Sequence, residues 1–76
     1  MSRPVWLYRH YKGGLYYVLN ECINEADKKR MVVYRSLNGD IWVRPALEFY
    51  GFVDDERKIP RFIRVGWVDP DVSRLS

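Results

Sequence analysis

The sequence predicts a mainly β fold, a small antiparallel barrel of about five short strands, and three observations carry that prediction. In Met31 to Pro45, MVVYRSLNGDIWVRP, two runs of β-formers flank an Asn38-Gly39 dipeptide. Asn-Gly between apolar alternations is the strongest short-range hairpin signal, because both central residues of a type I′ turn need positive φ. Three Trp, six Tyr and three Phe among 76 residues supply what so short a chain needs. A domain of this size buries only about 60–65% of its unfolded surface, and each ring contributes roughly 150–250 Å². The remaining apolar runs are short and broken by Gly, Pro and Asn, with no internal repeat or low-complexity segment.

Taken in order, Met1 to Pro4 is a short polar lead, frayed as chain ends are. Val5 to Tyr11, VWLYRHY, is the first strand and ends at the turn signal Lys12-Gly13-Gly14. Its two faces carry Val5, Leu7, Arg9, Tyr11 and Trp6, Tyr8, His10, so neither is purely apolar. Leu15 to Ile23 is the second strand, apolar toward both sides, as in a strand buried on both faces. Asn24 to Arg30, NEADKKR, holds no large apolar side chain and reads as a solvated loop or single helical turn.

The third strand, from Met31 to Ser36 or Leu37, sets Val32 and Tyr34 against Val33 and Arg35. Past the Asn-Gly turn, the fourth strand, Asp40 to Arg44, sets Ile41 and Val43 against Trp42 and Arg44. Pro45 stops a central strand but suits the first helical position, so Ala46 to Tyr50 forms one helical turn, stopped by Gly51. Leu47 and Phe49 then plug one end of the barrel. Phe52-Val53 starts a short strand, Asp54 to Lys58 is an exposed turn, and Pro60 to Val68 is the last strand. Phe62 and Val65 share a side there only through a bulge near Arg64 or Gly66. Asp69-Pro70-Asp71 ends the ordered part, leaving Ser73 to Ser76 loose. Closure hides strand edges that so short a sheet cannot otherwise protect, and this spacing suits an SH3-like barrel, with a β-rich α+β fold as the alternative. One domain spans residues 1–76, its ordered core about 5–68.

Charge and cysteine content narrow the function classes. Formal net charge is +3 and pI about 9.2. Residues 1–30 carry six Lys/Arg against three Asp/Glu, whereas residues 47–59 carry two against four. One acidic stretch in a basic chain suits an anionic partner on one face, or simply solubility. Cys22 is the single cysteine, which excludes an internal disulfide and a Cys-rich zinc site and favours a reducing compartment. No run approaches the roughly 18 apolar residues of a membrane span, and the N-terminus lacks the apolar core of a signal peptide. A cytoplasmic protein with no membrane partner is expected, a monomer or small homo-oligomer.

His10 is the only histidine, so a multi-histidine metal site is excluded and a catalytic triad would rest on it alone. Its neighbours Arg9 and Lys12 disfavour the imidazolium. Cys22, in an apolar strand, reads as a small buried hydrophobe. No phosphate loop, nucleophile elbow or paired carboxylate is visible, so no enzyme activity, cofactor or metal is expected. The Lys12-Gly13-Gly14 turn exposes backbone amides, and Lys28-Lys29-Arg30 is a basic run in a loop.

More informative are Arg9, Arg35, Arg44, Arg61 and Arg64, set in strands beside Tyr8, Tyr34, Trp42, Phe62 and Trp67. Guanidinium forks bind phosphate bidentately and rings offer stacking faces for bases. Alternatively, the arginine stems pack over aromatic surface and pair with Glu48, Asp40 or Asp54. The pattern is read as a binding module for an anionic ligand, single-stranded nucleic acid or a nucleotide. Its candidate residues are Tyr8, Arg9, His10, Lys12, Tyr34, Arg35, Trp42, Arg44 and Arg61. The alternative is a protein-interaction module in which Tyr8, Tyr11, Trp42 and Tyr50 line a groove for a peptide or partner protein.

Four motifs in order, Tyr8-Arg9-His10-Tyr11-Lys12-Gly13-Gly14, Val33-Tyr34-Arg35-Ser36-Leu37 with Gly39-Asp40, Trp42-Val43-Arg44-Pro45 and Pro60-Arg61-Phe62, resemble a bacterial family catalogued as domain of unknown function 1653. Its members often carry a His-Ser-Glu-Thr-like stretch where this chain has Asn24-Glu25-Ala26-Asp27, and a longer loop before the position of Trp42. The resemblance implies one compact domain and brings no activity with it.

Overall fold

The computed structural model describes residues 5–68; the expectations for Met1 to Pro4 and for the chain from Asp69 onward lie outside them. The elements are β1 (Val5–His10), β2 (Leu15–Ile23), β3 (Arg30–Ser36), β4 (Ile41–Pro45), α1 (Ala46–Phe49), β5 (Phe52–Asp54), β6 (Ile59–Pro60) and β7 (Phe62–Val68). Five strands form one antiparallel sheet in the order β4-β3-β2-β1-β7, and β5 pairs with β6 in a separate hairpin. The mainly β prediction holds, with the helical turn at its expected place, and the structure pairs the last strand with the first. Strand number and closure differ. Among the described residues there are seven strands, two of them very short, and β4 and β7 are unpaired edges, so these strands form no closed barrel. Pro45 ends β4 without an N–H to donate and sends the chain into α1, leaving no strand to bridge the two edges.

The sheet is nevertheless strongly curved. Tyr34 of β3 and Phe62 of β7 lie three strands apart, yet their ring centroids are 5.5 Å from each other; in a flat sheet the backbones alone would stand roughly 14 Å apart. Phe49 of α1 fills the hollow. It stacks on Phe62 at 4.1 Å and meets Tyr8 and Tyr34 at 5.2 Å each. Tyr8, Val32, Tyr34, Ala46, Phe49 and Phe62 make the buried core, with Tyr16 and Val18 packed against it.

Register sorts the strands onto two faces. Trp6, Tyr8 and His10 of β1 share the core face with Tyr16 and Val18, with Val32 and Tyr34, with Trp42 and Arg44, and with Phe62, Arg64 and Trp67. The opposite face carries Leu7, Tyr17, Val33, Ile41, Val43 and Ile63, none of them buried. Of the expected plugs, Phe49 is fully buried, while Leu47 is 90% exposed because a single helical turn turns only one of the two toward the sheet. Cys22 is exposed, contrary to expectation: register places it on the uncovered face, beside Met31. The bulge expected in the last strand is present, Val65 being skipped between the pairs Leu7/Gly66 and Tyr8/Arg64. A second one skips Leu19 between Val18 and Asn20.

The Asn38-Gly39 hairpin forms, with different turn geometry. Gly39 has φ of +100°, while Asn38 is not among the residues with positive φ. Gly39 N–H donates to the Ser36 carbonyl at 3.0 Å, and Ser36 N–H to the Asp40 carbonyl at 2.9 Å. This is a three-residue loop closed by a glycine bulge rather than a type I′ turn. The β1–β2 turn repeats it: Gly13 N–H donates to the His10 carbonyl at 2.8 Å, and His10 N–H to that of Gly14 at 3.0 Å.

Candidate anion-binding site

At the turn end of the core face, side chains from three separate stretches of sequence, Tyr11 with Lys12, Tyr16, and Arg61 with Phe62, lie around His10. His10 ends β1, and its ring lies 4.9 Å from Phe62, 4.6 Å from Tyr11 and 6.2 Å from Tyr16. The tight turn folds Lys12 back so that its N–H donates to His10 Nδ1 at 3.2 Å. In a neutral imidazole that acceptance leaves the proton on Nε2, a donor. Arg61 sits at the bend between β6 and β7. Its backbone is fixed on both sides, its carbonyl accepting from Tyr11 N–H at 2.9 Å and its own N–H donating to Gly51 at 3.0 Å. Arg44 reaches in from β4; its Nε donates to the Tyr34 hydroxyl at 3.4 Å, and its Nη1 pairs with Glu48 at 3.2 Å.

The electrostatics agree with this convergence. His10 is held below its ordinary value of 6.5, first by burial against its ring neighbours and then by the positive charges of Arg44, Arg61 and Lys12. The Tyr34 hydroxyl holds the Arg44 proton more firmly, burial works against it, and Glu48 adds a smaller hold. Among the described residues Lys12 and Arg61 form no ion pair, and the buried Nε of Arg61 has no hydrogen-bond partner. An unpaired buried donor costs about 1–3 kcal/mol. Lys12 and Arg61 both lie over the Tyr11 ring, at 5.7 and 6.0 Å, and Tyr11 is exposed. The cluster therefore offers several N–H donors and surplus positive charge beside an open aromatic face, which is suited to a phosphate or carboxylate.

The sequence candidates separate. His10, Lys12 and Arg61 come together around Tyr11, Arg44 adds its charge from its bond to Tyr34, and Trp42 stands half-exposed on the same face beside Tyr34. Tyr8 and Tyr34 are core residues, so their rings are not open stacking surfaces. With Tyr8 beneath Phe49 and Tyr50, the groove expected from Tyr8, Tyr11, Trp42 and Tyr50 loses one wall. Arg9 and Arg35 alternate with His10 and Tyr34 and so project from the opposite face, Arg35 lying 5.5 Å above Tyr17. The shared wall of strand arginines is thus divided by strand alternation. Sequence reasoning left out Tyr11 and Tyr16 from the anion site. It also assigned the charge pressure on His10 to Arg9 and Lys12; Lys12 does contribute, and Arg44 and Arg61 stand in the place expected for Arg9. The one signal for Tyr11 was its place inside the first motif.

Among the described residues no three His, Cys, Asp or Glu side chains group as a metal site, and no helix is long and apolar enough to cross a membrane. No curated protein and no solved structure matches the chain. The four motifs, which supply His10 and Lys12, Tyr34, Arg44, and Arg61 with Phe62, fall within the 59 residues, 6–64, that a family model matches. The chain belongs to the family described as Protein of unknown function (DUF1653).

Proposed function

We propose that this chain is a non-enzymatic binding module for an anionic ligand, single-stranded nucleic acid or a nucleotide, held by its phosphate at His10, Lys12, Arg44 and Arg61. The observation that carries the reading is that Lys12 and Arg61 both lie over the exposed Tyr11 ring, which stands 4.6 Å from His10, and that neither has a carboxylate partner among the described residues. Like charges do not collect at one end of a small domain without cost, and a bound anion offsets that cost. Tyr11 and Trp42, both exposed, are the rings available to a base or sugar. The lone thiol, exposed and unbridged, suits the reducing cytoplasm, where we place the protein.

The test is a titration with inorganic phosphate, a mononucleotide and a mixed-sequence oligonucleotide, at low and at high salt. Binding at low salt is expected, weakening with a logarithmic slope of roughly 0.7 per phosphate neutralised on a single strand. Oligonucleotide binding well above that of the mononucleotide assigns a strand, and equal binding assigns a single nucleotide. Lys12→Ala and Arg61→Ala are expected to weaken either, and Arg9→Ala to leave it unchanged. The absence of binding at low salt would remove the reading.

A further inference from the structure

The sheet face turned away from α1 is also apolar, and among the described residues none of its side chains is buried. Register places Leu7, Tyr17, Val33, Ile41, Val43 and Ile63 there, one or more from every strand of the sheet. All six stay partly or fully exposed, Val43 at 55% and Ile41 at 62%. Strands apolar toward both sides belong to sheets covered on both sides, and a contiguous apolar surface of this kind marks an interface.

We propose that this face packs against the same face of a second copy, making a two-sheet sandwich. Five strands about 4.8 Å apart and roughly 20 Å of strand give a footprint on the order of 500 Å² in projection. Side-chain relief raises the accessible area above that, toward the roughly 800 Å² each partner gives to a stable interface. The apolar character fits homodimers, whose interfaces are less polar than those between transient partners. Charge sets the orientation. Arg9, opposite Leu15, and Arg35, opposite Tyr17, both project from this face near its turn end, and neither forms an ion pair among the described residues. A two-fold axis running across the strands separates these like charges. It sets each pair toward the far end of the other copy, away from that copy's own Arg9 and Arg35, where the β2–β3 loop carries Glu25 and Asp27 beside Lys28 and Lys29. Sheets stacked face to face keep their strands within about 30° of alignment. The His10 cluster lies on the other face and stays open, so this inference does not rest on the anion-binding reading.

Sedimentation equilibrium across a wide protein concentration range reads the outcome directly. A species of twice the 9.2 kDa chain mass is expected, and Val43→Lys and Ile63→Lys, at opposite margins of the face, should each return it to monomer with an unchanged circular dichroism spectrum. Leu47→Lys, on the exposed side of α1, should leave the dimer intact. Should a lysine variant unfold, Val43→Thr serves in its place. Because each substitution counts twice across a two-fold interface, it should raise the dissociation constant by roughly tenfold or more. A wild-type chain that stays monomeric throughout overturns the proposal, as does a dimer indifferent to all three substitutions on this face.

Discussion

The two faces of the five-stranded sheet are made by the same strands and carry similar numbers of apolar side chains, yet every buried residue of the sheet lies on one of them. Four residues of helix make the difference. Pro45 ends β4, the chain turns once through Ala46–Phe49, and Phe49 drops into the hollow formed by Tyr8, Tyr34 and Phe62. Hydrophobic patterning marks both faces as suitable for burial; the cover element decides which becomes core. The same division sorts the arginines, placing Arg44 and Arg61 with His10, and Arg9 and Arg35 on the uncovered side.

The sharpest way to break this comparison is to remove the cover. Phe49→Ala should cost about 3–5 kcal/mol, a large part of the roughly 4–11 kcal/mol total expected for 76 residues. Urea denaturation at dilute, monomeric protein should show it mostly lost, whereas Val43→Ala and Leu47→Ala should each stay within about 1 kcal/mol. Equal costs for Phe49 and Val43 would deny that only one face is core.

A smaller effect sharpens the role of the helix exit. A Cβ on Gly51 would stand 2.5 Å from the Leu47 carbonyl oxygen, so Gly51→Ala must push α1 off its seat, at about 1–3 kcal/mol. Because the Gly51 carbonyl also accepts the Arg61 N–H, the substitution should weaken phosphate binding as well. Gly39→Ala, whose Cβ meets nothing within 4 Å but whose φ is +100°, should lower stability without touching binding.

Titration separates the two faces more finely. His10 is held below 6.5 first by burial and then by Arg44, Arg61 and Lys12, so the unfolded chain takes its proton more readily than the folded one. Its stabilising contribution is present above 6.5 and is lost as pH falls from there through the lowered value. In Arg61→Gln, an NMR titration of the imidazole should move part of the way back toward 6.5, while Arg9→Gln should leave it in place. Smaller still is the tie between α1 and the β2–β3 hairpin. The Tyr50 hydroxyl donates to Glu21 at 3.1 Å, Arg30 pairs with the same carboxylate, and burial together with this bond pushes the phenol up to about 12. Arg30, more than Tyr50, holds Glu21 below the usual carboxylate range. Its contribution is therefore present above the ordinary glutamate value and lost as pH falls through the lowered one. Tyr50→Phe should shift the urea midpoint slightly, and less below pH 4 than at neutrality.

Much of this architecture was legible in the sequence. Two Gly-bearing turns, Pro45 with its helical turn, the bulge near Gly66 and the alternation of Val32 and Tyr34 against Val33 and Arg35 all follow from local chemistry, whereas the burial of Tyr34, expected as a stacking ring, was not legible because alternation does not say which face is covered. Barrel closure was not legible, because it depends on how far β4 and β7 extend past the curve. In β4 the alternation of Ile41 and Val43 with Trp42 and Arg44 was clear, but its direction was not. The apolar pair faces away from the core, while the longer Trp42 and Arg44 edge the covered face, Arg44 bonding Tyr34. The site was half legible. His10, Lys12, Arg44 and Arg61 were all candidates, but separating them from Arg9 and Arg35 needs strand phase, and adjacent residues in a strand always part to opposite faces.

Amide and imidazole NMR during titration with inorganic phosphate and a short oligonucleotide at low salt tests the anion site most directly. Shifts confined to His10, Tyr11, Lys12, Arg44 and Arg61, with the His10 ring moving toward the imidazolium and Leu7, Tyr17 and Val33 unmoved, are the predicted result. Shifts centred on the uncovered face, or none anywhere, would contradict it.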